Sequence, residues 1–256
     1  MNAPARAPLS VVLITRNAAS QLDACLESAA FAAEIVVVDS ASTDDTRAIA
    51  ARHGARVIEK DWLGFGPQKQ FAVAQASHDW VLCLDADERV TPELARSVAA
   101  AIAAPSSPVY RMARCNRFLG RWLRHGEGYP DWNLRLFDRR RARWTEDPVH
   151  EHVVADGPVG TLAGDLLHAS AESLDAYIAK QNRYTTLQAA AMHARGEAAP
   201  VARLVLAPAV RFVRLFVLRL GFLDGVAGFV HIAIGCFNTM MKFAKLRALR
   251  AADGRE

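Results

Sequence analysis

The chain has 256 residues, 52% apolar and 23% charged, and its 31 Lys and Arg against 27 Asp and Glu give a formal charge of +4. This composition excludes a disordered or collagen-like chain and is typical of one large globular domain, alone or with an appendage. The four cysteines lie far apart without a CxxC pair, which predicts reduced, buried thiols and no zinc site. The N-terminus lacks a long apolar run, which favours a cytosolic protein.

The first hundred residues alternate short apolar runs with helical stretches, the pattern of β–α–β units around a parallel sheet. Strands are predicted at residues 9–15, 34–39, 55–59 and 80–85. Helices with Ser or Asp caps are predicted at residues 20–30, 44–52, 66–75 and 92–104. Nearly continuous Val, Ile and Leu suits strands that are buried on both faces. We therefore predict an α/β fold with a mostly parallel sheet flanked by helices.

Two further regions differ from the first hundred residues in composition and predicted structure. Residues 105–168 mix short strand-like pieces with Trp, Gly and Pro, and we expect them to complete the sheet and close a cleft, as the second half of a domain spanning 1–168 whose first half is 1–104. Residues 169–256 are helical in period and form a separate extension.

The helical extension is basic and amphipathic. Residues 200–250 carry eight Lys and Arg and a single acid, and Arg211 and Arg214 alternate with large apolar side chains. Such a helix predicts peripheral association with an anionic membrane surface. The uncharged run 225–241 is shorter than the roughly 20 apolar residues of a spanning helix, although a span, a buried helical hairpin and contact with a second copy remain alternatives. The small, interleaved excess of cations predicts no nucleic-acid partner.

Acidic residues follow two of the predicted strands, at Asp39 and at Asp85-x-Asp87. Open α/β sheets bind ligands at the carboxyl ends of their strands. The chain has neither GxGxxG nor GxxxxGK[ST], so dinucleotide and P-loop sites lose their main support. The paired carboxylates fit Mg²⁺ or Mn²⁺ shared with substrate phosphates. The plainer alternatives are an acidic helix start and, for Ser42 to Asp44, simple helix capping.

Three blocks of sequence carry a family resemblance: LSVVLITRN at 9–17, VVVDSASTDDT at 36–46 and LDADE at 84–88. In this order and spacing they resemble the family 2 glycosyltransferases, which are inverting enzymes of the GT-A (Rossmann-like) fold. GFGPQKQ at 64–70, YPDWNLRLF at 129–137 and PVHEH at 148–152 are similar to the lipopolysaccharide inner-core β-1,4-glucosyltransferases, which add glucose to the first heptose.

The resemblance implies roles for five residues on the donor side. Thr15 and Asp39 would bind the uridine part of a UDP-sugar, and Lys69 would lie near the nucleotide. Asp87 would hold Mg²⁺ or Mn²⁺ on the diphosphate, with Asp85 beside it. Residues 1–104 would be the nucleotide-sugar-binding half of the domain, and residues 105–168 its acceptor-side half. The acceptor would be a lipid-linked saccharide at the cytoplasmic face of a bacterial inner membrane.

An inverting transfer also needs a carboxylate that deprotonates the acceptor hydroxyl. Asp131, in a glycine- and aromatic-rich loop, and Glu151, between His150 and His152, are both candidates, and the sequence does not separate them. His150 is a candidate metal ligand beside such a base. Two other functions stay open: a polyprenyl-phosphate sugar synthase, and a non-catalytic membrane-associated scaffold.

Overall fold

The computed structural model describes residues 6–146, 151–170 and 173–254. The strands are β1 (Ala7–Thr15), β2 (Ala32–Asp39), β3 (Arg56–Glu59), β4 (Trp80–Leu84), β5 (Glu88–Val90), β6 (Val109–Phe118), β7 (Arg121–Trp122), β8 (Asp131–Asp138), β9 (Ala142–Trp144), β10 (Val153–Ala155) and β11 (Val159–His168). The helices are α1 (Ala19–Ser28), α2 (Thr46–Arg52), α3 (Phe65–Ala74), α4 (Pro92–Ala103), α5 (Leu174–Ala194), α6 (Val201–Phe212) and α7 (Gly225–Ala252), with a π-helical segment at Val213–Leu218 and a 3-10 turn at Gly221–Asp224.

These elements form two compact units. The first comprises residues 1–114 and 131–169, and the second comprises residues 115–130 and 170–256. Residues 115–130, which we predicted within the acceptor-side half, therefore cluster with the C-terminal helices. The functional boundary near residue 168 stays a prediction.

The sheet of the first unit has the strand order β3-β2-β1-β4-β8-β6-β11-β5. The predicted strands β1 to β4 pair in parallel, which confirms the α/β fold. Strand β8 then pairs antiparallel with both β4 and β6. In register, Thr15 lies opposite Asp39, and Leu13 lies opposite Leu84. The residues predicted for the site therefore lie at or just after the carboxyl ends of neighbouring parallel strands.

Helices cover both faces of this sheet because its strands are apolar on both sides. Alternate β1 residues such as Leu9 and Leu13 pack against α1, α2 and α4, whereas Val12 packs with α3. At α4 a threonine is the cap, since the Leu94 N–H donates to Thr91 Oγ1. The side-chain caps predicted for α1 and α2 are absent, because the Asp44 carboxylate instead accepts the Ala19 and Thr46 N–H groups and α2 begins two residues later.

The second unit is built from α5, α6 and α7 around a small apolar core that includes Met192, Phe243 and Leu246. The buried Asp224 carboxylate accepts the backbone N–H groups of Arg124 and His125 at 2.9 and 2.8 Å. Asp224 directly precedes α7, so one buried acid connects segment 115–130 to the start of that helix.

The apolar C-terminal helix is longer than the sequence indicated. The uncharged run 225–241 continues as one helix to Ala252, and the stretch Gly221–Ala252 is long and apolar enough to cross a membrane by length and composition. Seven α7 residues are nevertheless buried within the helical unit. The apolar residues of α7 therefore also form part of the core against which α5 and α6 pack.

Candidate active site

The turn after β2 is organised by a buried carboxylate. Asp39, with 0% exposure, accepts hydrogen bonds from Thr15 Oγ1 at 3.0 Å, from Ser42 Oγ at 2.5 Å and from the Ser42 N–H at 2.9 Å. The Asn17 N–H donates to Ser42 Oγ at 2.8 Å, and both Asn17 and Ala41 have positive φ angles. Thr15 and Asp39 are thus brought together as predicted, and they hold the turn at residues 40–43 in place.

A chain of alternating charges runs through the first unit beside this turn. Each ion pair shares a member with the next, in the order Glu151, Lys69, Asp85, Arg135, Glu88, Arg114 and Asp131. Lys69 Nζ lies 3.6 Å from Glu151 Oε1 and 3.5 Å from Asp85 Oδ1. The two candidate bases, which the sequence could not separate, are the two ends of one network.

Arg135 occupies the centre of this network. Its Nη2 donates to Asp85 Oδ2 at 2.5 Å and to Glu88 Oε1 at 3.0 Å, and its side chain is only 5% exposed. Lys69 and Arg135 also lie over the Trp144 ring, which is buried and donates to Cys83 Sγ. Trp144 is therefore a core residue.

Burial and pairing shift the pKa values of the central groups in opposite directions. Desolvation acts to raise the pKa of Asp85, but Arg135 and Lys69 hold it below its usual range. Glu88 is fully buried, and desolvation raises its pKa despite the adjacent Arg135. Desolvation acts to lower the pKa of Arg135, but Asp85 and Glu88 raise it above its usual range. Arg135 is thus held as a permanent cation.

Asp87 pairs with a histidine and not with a cation of this network. Its Oδ2 lies 3.2 Å from Nε2 of His168, and both side chains are partly exposed. The residues pair because β5 and β11 run antiparallel, with His168 opposite Glu88. His150, predicted as a metal ligand, lies outside the described residues. Within the described ranges, no three His, Cys, Asp or Glu side chains cluster as a self-contained metal site.

The two candidate bases differ in their surroundings. Asp131 Oδ2 accepts two hydrogen bonds from Arg114, at 2.9 Å from Nε and 2.7 Å from Nη2. Glu151 faces the Lys69 ammonium. A Cβ added at Gly66 would lie 3.3 Å from the Cβ of Glu151. Glu151 is therefore next to the residues predicted for the donor, and Asp131 lies at the far end of the network.

Sequence reasoning missed four residues of the site: Glu88, Arg114, Arg135 and His168. The signal for Arg135 was present, since a single charge between Leu134 and Leu136 in an apolar strand indicates a buried ion pair. Nothing in the sequence pairs His168 with Asp87, because their contact depends on antiparallel register.

Comparisons with known proteins agree on the family. The model of the family Glycosyl transferase family 2 matches residues 10–155. The lipopolysaccharide core biosynthesis glycosyltransferase LpsC of Rhizobium meliloti is 33% identical over 97% of this chain and 95% of its own length. An uncharacterized glycosyltransferase of Rickettsia felis is 31% identical over 93% of this chain and 89% of its own length.

Solved structures give more distant matches. Glucosyl-3-phosphoglycerate synthase of Mycobacterium tuberculosis, in complex with Mn²⁺, uridine-diphosphate and glucosyl-3-phosphoglycerate, aligns with a TM-score of 0.37 at 24% identity, over 43% of this chain and 44% of that one. TarS of S. aureus aligns with a TM-score of 0.46 at 16% identity, over 70% of this chain and 39% of that one. This chain thus spans less than half the length of either structure. The family model and the curated relatives show that the chain belongs to glycosyltransferase family 2 and is a glycosyltransferase.

Proposed function

We propose that this glycosyltransferase moves glucose from UDP-glucose to a heptose of a lipid-linked lipopolysaccharide core, with inversion at the anomeric carbon. The observation that carries the proposal is the ion-pair network from Glu151 to Asp131, which joins a donor-side lysine to two candidate bases beside the Asp87–His168 pair. The name of the Rhizobium meliloti relative supports the class of acceptor.

The donor would lie along the carboxyl edge of the sheet. Because the Asp39 carboxylate is already bonded to Thr15 and Ser42, these residues would serve the uridine part by holding the turn at 40–43 against it. The Lys69 ammonium, held by Asp85, would face the diphosphate. Its positive charge would stabilise the negative charge that develops on the leaving group.

Asp87 and His168 would hold the divalent ion. One carboxylate oxygen and one imidazole nitrogen suit Mn²⁺, or Mg²⁺ less closely, and leave coordination positions for phosphate oxygens. When bound, the ion neutralises charge on the diphosphate. His150 remains a proposed further ligand.

Glu151 is the base that the geometry favours. It would take the proton of the acceptor hydroxyl while that oxygen bonds to the anomeric carbon and the bond from this carbon to the diphosphate oxygen breaks. Its ion pair with Lys69 supports a position beside the donor, whereas Asp131 Oδ2 is engaged by Arg114. Asp131 would instead orient the acceptor.

The enzyme would act as a peripheral protein on the inner face of the bacterial inner membrane. Large apolar side chains of α6 and the π-helical segment are exposed, among them Val205 at 66% and Leu218 at 72%. Arg211 and Arg214 lie on the same stretch of chain. Exposed apolar side chains interleaved with cations are typical of helices that lie on anionic membranes.

The test measures UDP release from several UDP-sugars with Mg²⁺ or Mn²⁺, with a heptose-containing core lipid that lacks glucose as acceptor. We expect acceptor-stimulated release from UDP-glucose by the wild type and its loss in Asp87→Asn, with unfolding transitions unchanged. Release stimulated by a polyprenyl phosphate and not by the core lipid would reassign the acceptor. Absence of binding to any UDP-sugar would overturn the proposal.

A further inference from the structure

A cavity of about 640 Å³ lies among the C-terminal helices, and all of its lining residues belong to the second unit. Its lining includes five cationic side chains and one carboxylate, Glu127. The cations are Arg203, Arg211, Arg214, Arg219 and Lys242. A cavity with this excess of positive charge is complementary to an anion.

The single acid of the lining is already engaged. Arg211 pairs with Glu127 and also donates to Thr239 Oγ1 at 2.9 Å. Among the described residues, no carboxylate forms an ion pair with Arg214 or Lys242. Burial and the neighbouring Arg211 lower the pKa of Lys242. The cations therefore repel one another, and a bound anion would relieve this repulsion.

The cavity is also lined by apolar side chains. Leu206 and Val210 of α6 line it and are 61% and 64% exposed. Further exposed apolar side chains follow along the chain at Val213 and Val217. An inorganic anion would contact only the cationic side chains. A molecule with a charged head and a hydrocarbon chain would contact both kinds of lining side chain and continue along the exposed apolar side chains.

We propose that this cavity binds one anionic phospholipid, with Arg214, Arg219 and Lys242 on the phosphate and Leu206 and Val210 against an acyl chain. The proposal rests on the membrane association proposed above and adds a discrete lipid site to it. It requires neither the donor nor the acceptor of the transfer reaction. Peripheral binding would then depend on particular cavity residues as well as on net charge.

The test titrates the full-length chain with dihexanoyl phosphatidylglycerol, kept monomeric, and separately with inorganic phosphate, by calorimetry. Arg214→Gln should weaken lipid binding about five-fold, the effect of one cation near a lipid phosphate. Arg183→Gln is the matched control, because it removes the same charge from an exposed position on α5 outside the cavity. Val210→Thr keeps the shape but loses apolar contact, so it should weaken binding of the lipid and not of phosphate.

Four results would overturn the proposal. Equal affinities of Arg214→Gln and Arg183→Gln would show that charge acts diffusely. If inorganic phosphate binds as tightly as the lipid, the acyl chain contributes nothing to binding. Wild-type binding to phosphatidylglycerol vesicles without binding of the monomeric lipid would remove the site and leave membrane association intact. If the wild type binds neither vesicles nor the monomeric lipid, both proposals fail, while UDP release tests the transfer reaction separately.

Discussion

Replacing Arg135 by methionine should strongly destabilise the first unit. Arg135 is nearly buried and is the cation that Asp85 and Glu88 share. Methionine fills similar space but leaves the fully buried Glu88 with a hydrogen bond from the Asp85 N–H and, as its remaining cation among the described residues, Arg114, whose Nη1 is 3.6 Å away. Removing one partner of a buried pair costs about 3–5 kcal/mol. That loss is a large fraction of the roughly 5–15 kcal/mol by which a domain is stable.

The assay is urea unfolding followed by tryptophan fluorescence and circular dichroism. Arg140→Met is the matched control: Arg140 also pairs with two acids, Asp79 and Asp138, but is 62% exposed. Exposed ion pairs are screened by water, so we expect a much smaller loss there. Adding Glu88→Gln to Arg135→Met should recover part of the loss, because it neutralises the stranded carboxylate. The reasoning is refuted if Arg135→Met costs no more than Arg140→Met.

Three further predictions test other parts of the structure. Desolvation acts to raise the pKa of Glu34, but hydrogen bonds, chiefly from Ser10, lower it from 4.5 to about 2. A carboxylate whose pKa is lower in the folded than in the unfolded state stabilises the fold at pH values above its unfolded pKa. Glu34→Gln should therefore lower the free energy of unfolding in urea by about 1 kcal/mol at neutral pH, and this difference from the wild type should shrink as the pH falls from 4.5 to about 2. A difference that does not change with pH would contradict this prediction. Gly66→Ala would bring its Cβ against the carbonyl oxygen of Thr145 and should lower stability in thermal unfolding by about 1–3 kcal/mol. Wild-type stability of the variant would show that the backbone at Thr145 moves aside without cost. His168→Asn should weaken ion-dependent UDP binding about ten-fold or more by calorimetry, and an equal loss in chelator would exclude ion binding by this residue.

The parallel half of the fold was predictable because its signals are local. Strands β1 to β4 are short apolar runs separated by helical periods, so the type of each element and the parallel pairing follow from neighbouring residues. The antiparallel half was not predictable in order, because β8 inserts between β4 and β6 through contacts distant in sequence. The grouping of residues 115–130 depends similarly on Asp224, about a hundred residues away.

The site was predictable where strand ends carry acids and not where charges meet across the sheet. Asp39, Asp85 and Asp87 follow apolar strands and stand out in the sequence. His168 lies on β11, whose antiparallel register with β5 brings it to Asp87, so this pair emerges only from the structure. Leu134 and Leu136 mark Arg135 as a buried charge, but they do not indicate that its partners are Asp85 and Glu88. The same holds for Glu151 and Asp131, whose difference lies in Lys69 on one side and Arg114 on the other.

The most direct test of the proposed mechanism compares Glu151→Gln with Asp131→Asn in acceptor-stimulated UDP release, with UDP affinity measured in parallel. We predict that Glu151→Gln lowers turnover about 100-fold or more, the scale of a lost general base, while UDP affinity stays close to the wild-type value. Asp131→Asn should chiefly raise the acceptor concentration needed for half-maximal rate. Wild-type turnover in Glu151→Gln, with turnover lost in Asp131→Asn, would contradict the assignment of the base and transfer it to the other end of the network.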